Sequence, residues 1–140
     1  MDKEQELRER MEIIAAWRKD DAWDLCSEVF LDPLTDLLCS DEALARKFFT
    51  ECTDEEFDLA YRSFERLAQV YGKSFIRWLA INASHRDLDI DGDSWYEMHA
   101  AMAEVDLIPA DGQLYHHSDE EVKRMVVEAA RKLEAEGNKS

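Results

Sequence analysis

Asp87, Asp89, Asp91 and Asp93 alternate with Leu88, Ile90 and Gly92 in one short stretch. Carboxylates at alternate positions suit a hard divalent cation such as calcium. That ion takes about six to eight oxygen ligands, and a glycine permits the sharp turn between them. The four aspartates are therefore the candidate metal ligands.

Their spacing matches the first half of an EF-hand calcium loop, with acids at the first, third and fifth loop positions and glycine at the sixth. The second half departs from the pattern. Ser94 stands where an apolar residue belongs, and Met98 stands where a bidentate glutamate closes the loop. Glu97 comes one residue early. Losing that glutamate removes two coordinating oxygens. The other expectation for the stretch is an acidic interhelical loop that complements the dipole of the helix after it.

Other chemistry-bearing residues do not assemble into a catalytic set. His85-Arg86-Asp87-Leu88 spells the protein-kinase catalytic tetrapeptide, yet the chain has no Gly-rich loop and no downstream magnesium ligand, so the match is a coincidence. His116 and His117 are adjacent and cannot converge without help from His85 or His99, and nothing in the spacing supplies it. Cys26, Cys39 and Cys52 sit beside carboxylates, which disfavour the nucleophilic thiolate. They show no zinc-like spacing. The chain is expected to be no enzyme and to carry no cofactor.

The remaining candidate is charge. The net charge is −16, and residues 21–60 hold 12 acidic against 2 basic residues, or −10 of it. Asp21, Asp24, Glu28, Asp32 and Asp36 recur every four residues. Asp41, Glu42, Glu51, Asp54 and Glu55 follow. Pro33 is expected to break the first row, so that these acids curve around a corner on several short helices. Such a surface repels phosphate backbones and anionic lipid, which argues against direct nucleic-acid or membrane binding. It suits a basic protein partner, for example a nucleic-acid-binding protein, with fast, salt-sensitive association. The opposing expectation is a solvated acidic face that only maintains solubility.

The elements that must position these groups read as helices. The chain has 140 residues, 46% apolar, with 4 Gly and 2 Pro, and fits one domain spanning 1–140. Leu7, Met11, Ile14 and Trp17 mark a first helix over about 3–19. Asp20 or Asp21 caps a second, with Ala22, Leu25, Cys26 and Val29 inside. Asp32-Pro33 starts a short third, and Ser40 caps a fourth containing Leu44, Phe48 and Cys52. Thr53 and Glu56 form a capping box, as do Ser94 with Glu97 and Ser118 with Glu121. Phe57, Tyr61, Phe64, Ala68, Tyr71, Phe75 and Trp78 stay in phase across Gly72, which predicts one long helix over about 54–84. The alternative is a split at Gly72. The last helix ends near Gly137, and 138–140 should fray.

The expected fold is all-α, an irregular bundle of six to eight helices around the long helix. The expected function is a non-enzymatic binding or inhibitory protein that sets its acidic face on a basic partner. A nucleic-acid-mimicking anti-defence inhibitor of anti-CRISPR type and a toxin-immunity protein are two concrete forms. The alternatives are a calcium-responsive module using the acidic loop 87–93 and, ranked last, a small helical enzyme. No secretory signal or membrane-length apolar run is visible, so the cytoplasm is the expected location.

Overall fold

The computed structural model describes residues 2–17, 23–88 and 94–137. They form an all-α bundle with no strand among them. In chain order the helices are α1 (Lys3–Trp17), α2 (Trp23–Leu38), α3 (Glu42–Glu51), α4 (Asp54–Leu59), α5 (Phe64–Tyr71), α6 (Lys73–Ser84), α7 (Ser94–Glu104) and α8 (Asp119–Gly137). Short 3-10 turns occupy Ala60–Ser63 and Leu114–His116. α6 packs on α8, α5 on α7, α7 on α8 and α1 on α2.

The stretch 54–84 is not one helix. α4 tightens into the 3-10 turn at Ala60, and the chain breaks again at Gly72, with φ 86 and ψ −164. Only glycine adopts that conformation readily. Ser63, in the 3-10 turn, places its hydroxyl 2.8 Å from that of buried Thr35 on α2. The aromatic phase nevertheless survives both interruptions. Phe57, Phe64 and Phe75 are fully buried, and Tyr71 and Trp78 pack at the core's edge. Phe49 joins them edge-on, 5.3 Å from Phe57 and 6.4 Å from Phe75 between ring centroids. The stripe is therefore core packing.

α2 corrects the expectation for Pro33. It runs unbroken from Trp23 to Leu38 with the proline inside it. Proline cannot donate to the carbonyl four residues back. That carbonyl belongs to Val29, a residue 70% exposed, so the gap in the hydrogen-bond ladder falls on the solvent side of the helix. Val29 is thus outside, and among the described residues Leu31, Leu34, Thr35 and Leu38 face inward.

The caps are mixed. Thr53 and Glu56 form the full reciprocal box, at 3.1 and 2.8 Å. α3 is capped by Asp41, which accepts from the Leu44 amide, instead of by Ser40. Ser94 is the first residue inside α7, and its buried hydroxyl donates to Asp58 at 2.8 Å. Ser118 accepts from the Glu121 amide, but the Glu121 carboxylate turns to His117 instead of back along the chain.

Candidate functional site: the acidic face and its surroundings

Continuity through Pro33 changes the geometry of the acidic row. Asp24, Glu28, Asp32 and Asp36 all lie on one helix. At 1.5 Å and 100° per residue, each four-residue step advances about 6 Å and turns about 40°. The acids therefore wind slowly along one side of α2 and do not turn a corner at Pro33. Asp32 and Asp36 are exposed. Asp21 lies outside the described residues.

Several of these acids have partners within the chain. Asp36 accepts from Arg66 on α5 at 2.6 Å. Asp41 caps α3, and Glu42 pairs with Arg46 one turn on at 3.1 Å. Asp54 is half-buried and accepts from Arg86 at 3.0 Å. Asp32, Glu51 and Glu55 are exposed. Among the described residues the exposed acids lie on the second half of α2, the two ends of α3 and the first turn of α4, where carboxylates also complement the helix dipole.

Of the candidate metal ligands, Asp89, Asp91 and Asp93 lie outside the described residues, and Asp87 is exposed after α6. Among the described residues no cluster of three His, Cys, Asp or Glu side chains is arranged to hold a metal ion.

The histidines divide between two places. His85 binds Glu134 on α8 at 2.9 Å. His117 lies between two carboxylates, with Nδ1 3.0 Å from Glu121 and Nε2 3.1 Å from Asp111. The bond to Glu121, and then that to Asp111, raises its pKa. His99 is buried on α7 and close enough to feel both His117 and Asp111; burial lowers its pKa. With both ring nitrogens of His117 engaged by carboxylates, the cluster ties the loop before α8 to that helix. The Cys39 thiol is raised by burial, and that of Cys52 is pushed up to about 11 by the same cause. Neither is a ready nucleophile.

Sequence reasoning missed Arg86. Its side chain is 13% exposed and closes the end of α3, donating to the Phe49 carbonyl at 2.9 Å and the Cys52 carbonyl at 2.9 Å. Nε donates to Asn82 at 2.9 Å, and the guanidinium lies over the Phe57 ring. The kinase-like tetrapeptide thus contains a structural arginine. The missed signal was a lone cation between a helix end and the acid-rich α3–α4 junction.

Also missed was a cleft of about 460 Å³ between α1 and α3. Leu7, Met11, Leu44 and Phe48 form its apolar floor, and charged side chains form its rim.

Among the described residues no helix is long and apolar enough to cross a membrane. Comparison with known proteins finds no match: no family model fits the chain, and neither a curated protein nor a solved structure is similar to it.

Proposed function

We propose that this protein is a non-enzymatic binding protein that presents the acidic face of α2, α3 and α4 to a basic protein partner. The observation that carries the proposal is the continuity of α2 through Pro33, which places Asp24, Glu28, Asp32 and Asp36 on one helix. A concentrated negative field speeds encounter with a positive surface. Inhibition of nucleic-acid-handling machinery by imitation of a phosphate backbone is one concrete form. Neutralisation of a basic toxin is the other. The engaged ring nitrogens of His117 and the raised thiols of Cys39 and Cys52 support a role without catalysis. The proposal includes a reducing, cytoplasmic location, supported by the free thiols at those two cysteines.

Immobilised protein exposed to cell lysate tests this. A basic protein should be retained at low salt and released as salt rises. Retention of no basic protein at low salt, or retention indifferent to salt, would overturn the proposal.

A further inference from the structure

Much of the core is sealed, with Leu34, Phe49, Phe57 and Phe64 fully buried. Leu7 at 6%, Met11 and Leu44 at 7%, and Phe48 at 9% are among the core residues that keep a sliver of exposure. All four open on the cleft between α1 and α3. α1 packs chiefly on α2, and its polar link to α3 is the pair in which Lys47 donates to both Glu4 oxygens at 3.0 Å. The helices therefore meet at that pair and leave apolar surface uncovered beside it. A volume of about 460 Å³ is in the range of sites that enclose a small ligand or an anchoring side chain.

The rim carries four carboxylates against two cations. Glu4 and Lys47 neutralise each other, and Glu56 accepts from the Thr53 amide. Glu12 and Glu51 are exposed and make no hydrogen bond or ion pair among the described residues. The cleft thus combines an apolar floor with two exposed acids on opposite helices, of which Glu51 also lies close enough to Lys47 to raise that lysine's pKa.

We infer that this cleft receives an apolar side chain from a short basic segment of the protein partner, with a lysine or arginine beside that side chain set against Glu12 or Glu51. The inference rests on the acidic-face proposal and names where such a partner is anchored. The field of α2–α4 draws a basic chain in. Burial of one aliphatic or aromatic group on Met11 and Phe48 then supplies the short-range contact that charge alone lacks. An acidic segment is repelled by the same rim.

Anisotropy with three short labelled peptides tests it: an amphipathic leucine–lysine peptide, an oligolysine of equal charge, and a leucine–glutamate peptide. The leucine–lysine peptide should bind at least about tenfold more tightly than the oligolysine. Ala15→Trp fills the cleft from an exposed position and should weaken that binding by about tenfold, whereas Asp32→Asn should change it by less than about twofold. Glu51→Lys is the second variant. It lies in the last turn of α3, where a cation suits the helix dipole, so its expected loss of binding stands even where Ala15→Trp perturbs folding. Leucine–lysine binding that ignores both variants, or equal binding of the leucine–glutamate peptide, overturns the inference. Oligolysine bound as tightly as leucine–lysine, and weakened by Asp32→Asn, overturns the cleft and leaves the acidic face standing. Leucine–lysine binding that needs the cleft but ignores salt overturns the acidic-face proposal and, with it, the lysine contact to Glu12 or Glu51, and leaves only the apolar cleft standing.

Discussion

The Arg86 guanidinium fastens the end of α3, with Nη2 2.9 Å from the carbonyl oxygen of Phe49. The last carbonyls of a helix have no partner within it, and here an arginine 37 residues away in sequence supplies the donors. The same group accounts for the half-buried Asp54 at the start of α4. One cation thus organises the corner where α3 gives way to α4.

Arg86→Ala should cost about 1–3 kcal/mol, because the Phe49 and Cys52 carbonyls lose a charged donor that is itself largely buried. Arg86→Lys should recover less than half of that, since a single ammonium cannot reproduce the planar fork. Urea denaturation of the three proteins checks both statements.

Gly72 separates the two accounts of residues 54–84. A Cβ built there meets nothing within 4 Å, so the cost of substitution is backbone strain alone. Gly72→Ala should destabilise by about 1–3 kcal/mol at this φ and ψ. In an uninterrupted helix the same change would stabilise by about 1 kcal/mol. The sign of the shift in thermal midpoint decides between them.

Asp106 adopts φ 60 just after α7. Its amide donates to the Ala103 carbonyl at 3.1 Å, and the Leu107 amide donates to that of Met102 at 2.9 Å. This pair of bonds is a Schellman closure with aspartate in the glycine position. Asp106→Gly should therefore stabilise the protein by up to about 1 kcal/mol. A fall in the thermal midpoint would contradict that.

The His117 cluster makes stability depend on pH. The pKa of His117 is raised, so its contribution is complete below its ordinary value of 6.5 and is lost as pH rises through the higher folded value. The pKa of Glu121 is lowered chiefly by the hydrogen bond from His117, and that of Asp111 chiefly by the Gln113 amide. Their contributions hold above the ordinary values of 4.5 and 3.8 and fade as pH falls through the lower folded ones. His99 opposes this, because burial resists its protonation and costs stability as pH drops below 6.5. Relative to wild type, His117→Asn should lose more thermal midpoint near about pH 6 than near about pH 8. Equal losses at both pH values would contradict the assignment.

The all-helical fold was legible because its signals are local. The Thr53–Glu56 box marks the start of α4, and the spacing from Phe57 to Trp78 marks the buried side. That spacing could not show that the segment is broken, because α4, α5 and α6 bury residues of one phase. The break lies in the backbone of Gly72. Pro33 misled for a related reason: the carbonyl it leaves without a donor belongs to exposed Val29, and that placement is set by tertiary packing. The charge of the acidic face was legible, but its shape was not, since the shape follows from α2 being continuous. Arg86 and the α1–α3 cleft arise from tertiary contacts and left little trace in the sequence.

The central claim is that exposed carboxylates on α2–α4 bind a basic partner. Its most direct measurement is retention of basic proteins across a salt gradient, with wild type and the triple variant Asp32→Asn, Glu42→Gln, Glu55→Gln in parallel. None of these three side chains caps a helix or pairs with Arg86, and the pair that Glu42 makes with Arg46 is exposed. The account predicts that the variant keeps its thermal midpoint within a few degrees, loses at least about tenfold in affinity at low salt and has a shallower salt dependence. Equal retention by the two proteins at every salt concentration would contradict it.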